Sequence, residues 1–373
     1  MNITTLPTST LAQALKVVLP AVPSRSSLSV LNNVLMRVDR TTLTLTATNL
    51  EIGISHRVQL PADGGFWHLT VPAKTLSEIV AKLPHGDVTL EPNFERHTLR
   101  LVAAGFRTTI NGIDGDEFPS VPGPRDVADE FVAIPMAQFQ AGIRSVAFCA
   151  SPDDARPVLQ AVHLALRDDG YTMTAADGYR LAQYRAQTAL NVPAHLGAPL
   201  LIPGVALREI AKLRGDTISL GLTPGRNQIV ALTDDTALSS RMIEGLYPDV
   251  GRIIPAQDTT RIDLNDPGAL RRAAEVVKIL MADAAGTPMH LKIDGLNVTV
   301  STAKSETGDA EVVVTGYGHA GEPVATAVNV SYLLELLPTL PKQFTLGVNG
   351  FTSPVVFRAA GLIHLIMPMS IRK

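Results

Sequence analysis

Cysteine is almost absent from this sequence: Cys149 is the one cysteine among 373 residues. A single cysteine can neither form an internal disulfide nor supply a cysteine zinc site, so nothing points to an oxidising compartment. The apolar stretches fall far short of the roughly 20 residues that a membrane-spanning helix needs. The first residues also lack the basic and apolar regions of a secretory signal. We therefore expect a cytoplasmic protein.

Charge is scarce, and neither sign dominates. Lys and Arg number 32 against 35 Asp and Glu, which gives a formal net charge of -3. Proteins that hold nucleic acid by bulk attraction usually carry a strong positive excess. That mechanism is therefore disfavoured unless the basic residues are gathered on one face. Aromatic residues make up only 5% of the chain, which disfavours single-strand binding by base stacking.

The common motifs of catalysis are also missing. The nine histidines are scattered and form no HExxH motif, and the chain has neither a GxSxG elbow nor a Walker A loop. Cys149 follows an apolar helix pattern, which is typical of a buried structural thiol. We expect no catalytic residue, no metal and no cofactor. A hydrolase or oxidoreductase built on α+β domains is the alternative from another class.

Two short motifs match functional sites by spelling only. Gly316, Gly318 and Gly321 give GxGxxG, but extended chain follows them where a dinucleotide site needs a helix, so a glycine-rich hairpin is expected. Asp114 and Asp116 could act as an acid pair, yet the DGD sequence before a proline is typical of a turn.

Three segments of the chain look alike. They begin at Val71, Ile202 and Val328 and read VPAKTLSEIVAKLP, IPGVALREIAKLRG and VNVSYLLELLPTLP. In register they superpose two sets of residues: Leu76, Leu207 and Leu333, and Glu78, Glu209 and Glu335. The segments LTLTAT, YTMTAA and NVTVST form a second trio with nearly the same spacing. The sequence therefore predicts a unit of roughly 125 residues used three times.

Each unit combines alternating, β-rich runs with two short helical patterns. The first helices begin near Ser9, Pro135 and Pro267, where serine or proline signals a helix start. The second helix of each unit is the repeated segment itself. Strands with segregated helices indicate an α+β fold. Proline and glycine mark two joints, which predict three domains: 1–123, 124–249 and 250–373.

Basic residues recur on the predicted helices. They are Lys16, Lys74, Lys82, Arg144, Arg208, Lys212, Arg271, Arg272 and Lys278. One such charge normally only aids solubility, but recurrence on equivalent helices of three repeats is more informative. If the strands form an outer wall and the helices face inward, an acidic protein presents a positive inner surface. Such a surface contacts phosphates without reading bases.

Longer motifs carry a family resemblance over essentially the full length. They are PSRSSLSVLNNVLMRV, LTLTATNLEIGI, VPAKTLSEIVAKLP, ARPVLQAVHL, AADGYRLA, YPDVGRIIP, VNVSYLLELL and IMPMSI. In this order and spacing, the chain resembles the bacterial sliding clamps, the β subunits of DNA polymerase III. The resemblance implies three similar DNA-clamp domains per chain and a head-to-tail homodimeric ring around duplex DNA, with helices lining the channel and sheets outside. It also implies a non-catalytic processivity factor that tethers polymerases and repair proteins.

The resemblance assigns residues to three surfaces. Contact with duplex DNA is implied for Arg25, Lys74, Arg144, Arg208, Lys212, Arg271, Arg272 and Lys278. An apolar pocket for partner peptides, with arginine as a donor at its rim, is implied for Leu159, Ala176, Gly178, Tyr179, Arg180, Leu181, Pro248, Arg252, Ile253, Thr352, Pro354, Ile366, Met367, Pro368, Met369 and Ser370. At the dimer interface, Leu280 and Met281 would face Phe106 and Thr108 of the other chain. The implied partners are the polymerase III α subunit, the clamp loader and repair polymerases.

Three residues of the implied pocket depart from the family pattern. Family members usually carry His where Tyr179 stands, Thr where Ala176 stands and Arg where Ser370 stands. We therefore hypothesise a divergent or secondary clamp with altered partner preference. The alternative is a clamp-like peptide-binding scaffold that forms no functional ring.

Overall fold

The computed structural model describes residues 3–127, 130–281, 288–302 and 308–370 of the chain. Its residues are grouped in two compact units. The first unit comprises Met1–Ala137, Asn191–Leu196 and Glu209–Met242; the second unit comprises Gln138–Leu190, Gly197–Arg208 and Ile243–Lys373.

The described residues contain six short α-helices, two in each predicted repeat. They are α1 (Thr8–Val18), α2 (Ala73–Val80), α3 (Met136–Val146), α4 (Gly204–Ile210), α5 (Pro267–Ile279) and α6 (Val330–Leu336). The predicted helix starts are confirmed to within about one residue, which is the usual uncertainty of helix ends. Pro267 begins α5, where its missing N–H costs nothing. At α6 the side chain of Asn329 caps the helix by accepting a hydrogen bond from the Ser331 N–H.

The strands are short and account for most of the regular structure. In chain order they are β1 (Thr4–Pro7), β2 (Asn33–Asp39), β3 (Thr42–Thr48), β4 (Ile52–Gln59), β5 (Phe66–Pro72), β6 (Asp87–Asn93), β7 (Thr98–Ala103), β8 (Phe106–Asn111), β9 (Val132–Pro135), β10 (Ala161–Arg167), β11 (Gly170–Ala176), β12 (Arg180–Gln187), β13 (Leu200–Pro203), β14 (Thr217–Leu222), β15 (Gln228–Leu232), β16 (Thr236–Arg241), β17 (Thr260–Leu264), β18 (Met289–Asp294), β19 (Asn297–Ser301), β20 (Glu311–Thr315), β21 (Gly318–Ala320), β22 (Val324–Val328), β23 (Phe344–Val348), β24 (Val355–Ala359) and β25 (Leu362–Ile366).

Within the described residues, each unit contains one large and one small antiparallel sheet. The first unit has an eight-stranded sheet, β5-β2-β3-β4-β16-β15-β14-β9, and a four-stranded sheet, β1-β6-β7-β8. The second unit has a nine-stranded sheet, β13-β10-β11-β12-β25-β24-β23-β17-β21, and a four-stranded sheet, β20-β19-β18-β22. Antiparallel sheets with separate helices confirm the predicted α+β class.

The two large sheets join strands from different predicted repeats. In the first unit β4 pairs with β16, and in the second unit β12 pairs with β25. Because backbone hydrogen bonds continue across the repeats, the compact units do not follow the predicted joints, and both units take part of the central repeat. The division into three domains, 1–123, 124–249 and 250–373, therefore stays a prediction.

The residues aligned by the repeat occupy the cores. The leucines of the first trio, Leu76, Leu207 and Leu333, are all 0% exposed, as are the central residues of the second trio, Leu45, Met173 and Val300. Burying one such side chain contributes about 1.5–3 kcal/mol. The repeat is therefore a repeat of core positions on equivalent helices and strands.

The glycine-rich segment at 316–321 is extended, but it is not the hairpin that the sequence predicted. Strand β20 pairs with β19 in the small sheet, whereas β21 pairs with β17 in the large sheet. The chain thus passes from one sheet to the other. Gly321 has a φ of +98°, and a Cβ there would lie 2.1 Å from the carbonyl oxygen of Thr259. Glycine is needed because a side chain would collide with the neighbouring strand.

Candidate functional site

A tight loop at the end of β11 organises the implied pocket. The carboxylate of Asp177, a residue that is 7% exposed, accepts hydrogen bonds from the N–H groups of Tyr179 at 2.9 Å and Arg180 at 3.0 Å. Gly178 has a φ of +94°, a region that residues with a Cβ rarely adopt. This loop presents Tyr179, which is 59% exposed.

The C-terminal segment lies against this loop. In the ladder between β12 and β25, Arg180 is opposite Ile366. Beyond the ladder, the Met367 N–H donates to the Tyr179 carbonyl at 2.8 Å. Strand β25 lies between β12 and β24, so it is a central strand and not a simple edge strand. Met367, 37% exposed, stands beside Tyr179 at the surface.

A small apolar cluster forms the floor beneath these exposed side chains. Its buried members are Ala176, Leu181, Val250 and Leu365, with Tyr247 and Ile254 packed against them. The sequence assigned Ala176 and Leu181 to the pocket but missed the other four. Val250 and Ile254 belong to the YPDVGRIIP motif and lie four residues apart. This spacing of two apolar residues is the sequence pattern that could have indicated that both are at least partly buried.

The remaining residues implied for the pocket differ in their position. Leu159, Pro354, Pro368 and Met369 are partly buried, whereas Pro248, Ile253, Thr352 and Ser370 are exposed. Pro354 precedes Val355, which is opposite Ile366 in the ladder of β24 and β25, so the loop with Thr352 lies at the same end of the sheet. Leu246 is 94% exposed and was missed by the sequence.

The two arginines of the pocket have different surroundings. The side chain of Arg252 is 88% exposed and pairs with Asp249 at 3.0 Å, and its role as a donor at the rim stays a prediction. The side chain of Arg180 is only 10% exposed and pairs with Asp177 and Glu335. Arg180 is therefore turned into the protein, away from the rim.

The cations assigned to DNA fall into two groups. Arg25, Lys74 and Arg144 are exposed, and Lys278 is partly buried. The other four have intramolecular partners: Arg208 with the Ala147 carbonyl at 2.9 Å, Lys212 with Glu209 at 2.8 Å, Arg271 with Glu275 at 2.8 Å, and Arg272 with Asp266 at 3.2 Å. The three carboxylate partners partly offset the positive charge that a phosphate would meet, whereas the carbonyl partner of Arg208 is neutral and leaves its charge unchanged.

The residues assigned to the dimer interface lie near two sheet edges that pair with no further strand in the described part of the chain. Phe106 and Thr108 are on β8, the last strand of the small sheet of the first unit. Strand β20 is an edge of the small sheet of the second unit, and α5 packs near it. Met281 is only 8% exposed and belongs to the core. The sequence missed Val276 and Ile279, the exposed apolar residues of α5, at 48% and 79% exposure.

Two groups with potential chemistry have structural explanations. Burial raises the pKa of the Cys149 thiol well above its usual value, which disfavours the thiolate that a nucleophile needs. Asp114 caps a short turn by accepting from the Asp116 N–H at 3.1 Å, so the predicted turn is confirmed. The Asp116 carboxylate also lies 3.0 Å from His68 Nε2, at the surface. Among the residues that the structure describes, no helix is both long enough and apolar enough to cross a membrane.

Comparison with known proteins identifies the family. Sequence profiles of the DNA polymerase III beta subunit match the chain: the N-terminal domain at residues 1–122 and the central domain at residues 133–249. The beta sliding clamp of Synechococcus elongatus is 34% identical to the chain, with 96% of each protein covered. That of a Synechocystis strain is 30% identical, with 97% of each covered.

Solved structures agree on the fold. The sliding clamp of Bacillus subtilis has a TM-score of 0.90 at 22% identity, with 99% of each chain covered. A Pseudomonas aeruginosa sliding clamp, solved bound to griselimycin, has a TM-score of 0.88 at 24% identity, with 99% of each chain covered. The comparisons favour a sliding clamp over a scaffold or an enzyme. The chain belongs to the beta sliding clamp family, the β subunits of bacterial DNA polymerase III.

Proposed function

We propose that this clamp works in the cytoplasm through three surfaces: helix cations that contact duplex DNA, two sheet edges that close a homodimeric ring, and an apolar pocket that binds partner peptides. The protein tethers its partners and catalyses no reaction itself. Its proposed partners are the DNA polymerase III α subunit, the clamp loader and repair polymerases. The observation that carries the proposal is the exposed apolar group around Tyr179 and Met367, set on a small buried cluster.

The pocket suits a short apolar peptide. Tyr179, Leu246, Ile253 and Met367 expose apolar surface, and methionine can repack around different partners. The P. aeruginosa relative was solved bound to griselimycin, so a protein of this fold holds a ligand. We expect a fluorescein-labelled peptide, Gln-Leu-Ser-Leu-Phe, to bind and to lose affinity when Met367 is replaced by Asp. An unchanged affinity in that variant would place the peptide elsewhere.

The Tyr179 departure supports an altered peptide preference. The phenol is larger than the histidine ring that the family usually carries, and it cannot become a cation. Replacing Tyr179 by His in this chain should therefore change the ranking of a peptide series that differs at one position. An identical ranking in both proteins would count against altered preference.

Ring closure follows from the two unpaired edges. An exposed edge strand has free N–H and C=O groups that pair readily with another chain. Pairing β8 of one copy with β20 of a second copy would use both edges and place Phe106 near the apolar residues of α5. We therefore expect a dimer of about twice the chain mass of 39.7 kDa.

Light scattering across a dilution series tests the ring. Ile279→Asp should give monomers because it puts a charge into the proposed apolar contact, whereas Lys342→Asp provides a control at an exposed position outside β8, β20 and α5. A wild-type monomer at every concentration, or a dimer that ignores Ile279→Asp, would contradict this interface.

DNA contact needs few cations if the ring encloses the duplex. A net charge of -3 gives no bulk attraction to the polyanionic duplex, and enclosure rather than affinity keeps the clamp in place. After loading, the clamp should stay on closed circular DNA and slide off the same DNA once it is linearised. Equal loss from both forms would refute enclosure while leaving the peptide pocket open to its own test.

A further inference from the structure

Arg180 lies where three elements of the second unit meet. It is the first residue of β12, and its guanidinium donates in three directions. Nε donates to the Asp177 carboxylate at 2.9 Å, Nη1 donates to the Glu335 carboxylate on α6 at 2.5 Å, and Nη2 donates to the Phe148 carbonyl at 2.8 Å. The planar fork carries its N–H donors on three separate nitrogens, whereas the three N–H groups of lysine share one nitrogen and cannot reproduce this geometry.

The same guanidinium also lies over two aromatic rings. Its central carbon lies 4.5 Å from the ring centroid of Tyr332 and 5.4 Å from that of Phe148, both within the range of cation–π attraction. Burial disfavours the charged form, but the hydrogen bond to Glu335 and the charges nearby outweigh it and raise the pKa of Arg180. The side chain is therefore fully engaged inside the protein.

Backbone contacts carry this restraint to the surface. Arg180 is opposite Ile366 in the ladder, and the adjacent Tyr179 carbonyl holds the Met367 N–H at 2.8 Å. A shift of the Arg180 backbone would therefore shift the backbone of both Tyr179 and Met367. These are the two exposed side chains at the centre of the proposed pocket.

We propose that Arg180 is a positioning residue and not a ligand of the partner peptide: with Glu335 it forms a latch that joins α6 to β12 and holds Tyr179 and Met367 in their binding positions. The inference rests on the proposed peptide pocket, and it adds Glu335 to the residues on which peptide binding by that pocket depends. The repeat supplies a matched comparison. Glu209 is the equivalent of Glu335 in the preceding repeat, but it pairs with the exposed Lys212 instead.

Peptide affinity in the full-length protein tests the latch. With the labelled peptide Gln-Leu-Ser-Leu-Phe as the probe, Arg180→Lys should weaken binding about tenfold and Glu335→Ala at least about threefold. Glu335→Gln keeps a hydrogen-bond acceptor and should restore part of the loss. Glu209→Ala should bind as the wild type does.

Alanine replacements in the peptide separate positioning from direct contact. If Arg180 only positions the pocket through its pair with Glu335, Arg180→Lys and Glu335→Ala should give the same pattern of losses across the peptide series. A loss that disappears for one peptide in Arg180→Lys but not in Glu335→Ala would show that Arg180 touches the missing side chain, and would overturn the proposal.

Amide hydrogen exchange gives a second readout that needs no peptide. The Met367 N–H should exchange faster in Arg180→Lys and Glu335→Ala than in the wild type and in Glu209→Ala. Unchanged exchange would refute the latch. If the wild type binds no peptide, the pocket proposal fails while this measurement still decides the latch. If Arg180→Lys does not fold, Glu335→Ala provides the test. The Glu335 side chain is half-exposed, so its replacement should disturb the core less.

Discussion

His364 should make the second unit lose stability at mildly acidic pH. It lies in the middle of β25 and is 1% exposed. Its Nε2 is 2.8 Å from the hydroxyl of Thr339, which itself donates to the Leu336 carbonyl. That arrangement assigns the proton to Nε2 and leaves Nδ1 bare. Within the described residues Nδ1 is buried without a hydrogen-bond partner, so a second proton would have no acceptor.

The magnitude follows from the difference between the folded and unfolded states. Burial, and then the positive charge of Arg180, lower the pKa of His364 from 6.5 to about 3. Below pH 6.5 the unfolded chain binds a proton at His364 that the folded chain does not bind. The contribution of neutral His364 to the free energy of unfolding is therefore fully present above pH 6.5 and is lost as the pH falls. Between pH 8 and pH 5 the loss is about 2 kcal/mol. This loss depends mainly on the pKa of His364 in the unfolded state, because pH 5 is still above its pKa in the folded state.

The assay compares pH dependences rather than absolute stabilities. Urea titrations are carried out at pH 8 and at pH 5 and are monitored by hydrogen exchange of the β24 and β25 amides. They give the free energy of unfolding near His364. His364→Gln cannot titrate and should show about 2 kcal/mol less loss than the wild type. His85→Gln, at an exposed position, should behave as the wild type does. Equal losses in the wild type and His364→Gln would refute the reasoning.

Three further predictions concern the cations, the loop and the floor of the pocket. Replacing both Lys74 and Arg144 by Gln should reduce the salt slope of binding to a short duplex by about 2, whereas Arg271→Gln should change it by less because Glu275 already pairs with that arginine. Gly178→Ala should destabilise the loop by about 1–2 kcal/mol because of its positive φ, seen as faster amide exchange at residues 177–180. Leu181→Ala should cost about 2–5 kcal/mol of unfolding free energy in urea, because Leu181 is 2% exposed.

Much of the fold could be predicted because the relevant signals are local. The helix starts follow from serine and proline at the first turn, and the α+β class follows from alternating strands with separate helices. Core positions such as Leu76 and Leu333 emerged from comparing the repeats, since equivalent residues fill equivalent cores. Asp177 and Gly178 fix the loop before Arg180 by short-range hydrogen bonding and backbone freedom. These features need no knowledge of distant partners.

Other features depend on residues far apart in the chain. The pairing of β12 with β25 joins residues about 180 positions apart, and no local pattern specifies which strands become neighbours. That pairing places β12 beside β25, which contacts α6, and Arg180 turns inward to Glu335 of α6. Likewise, the fold buries Met281 and exposes Ile279, although both belong to one apolar run. The sequence thus determined the repeating elements and their core positions by local patterning, while long-range strand pairing decided which side chains face the partner.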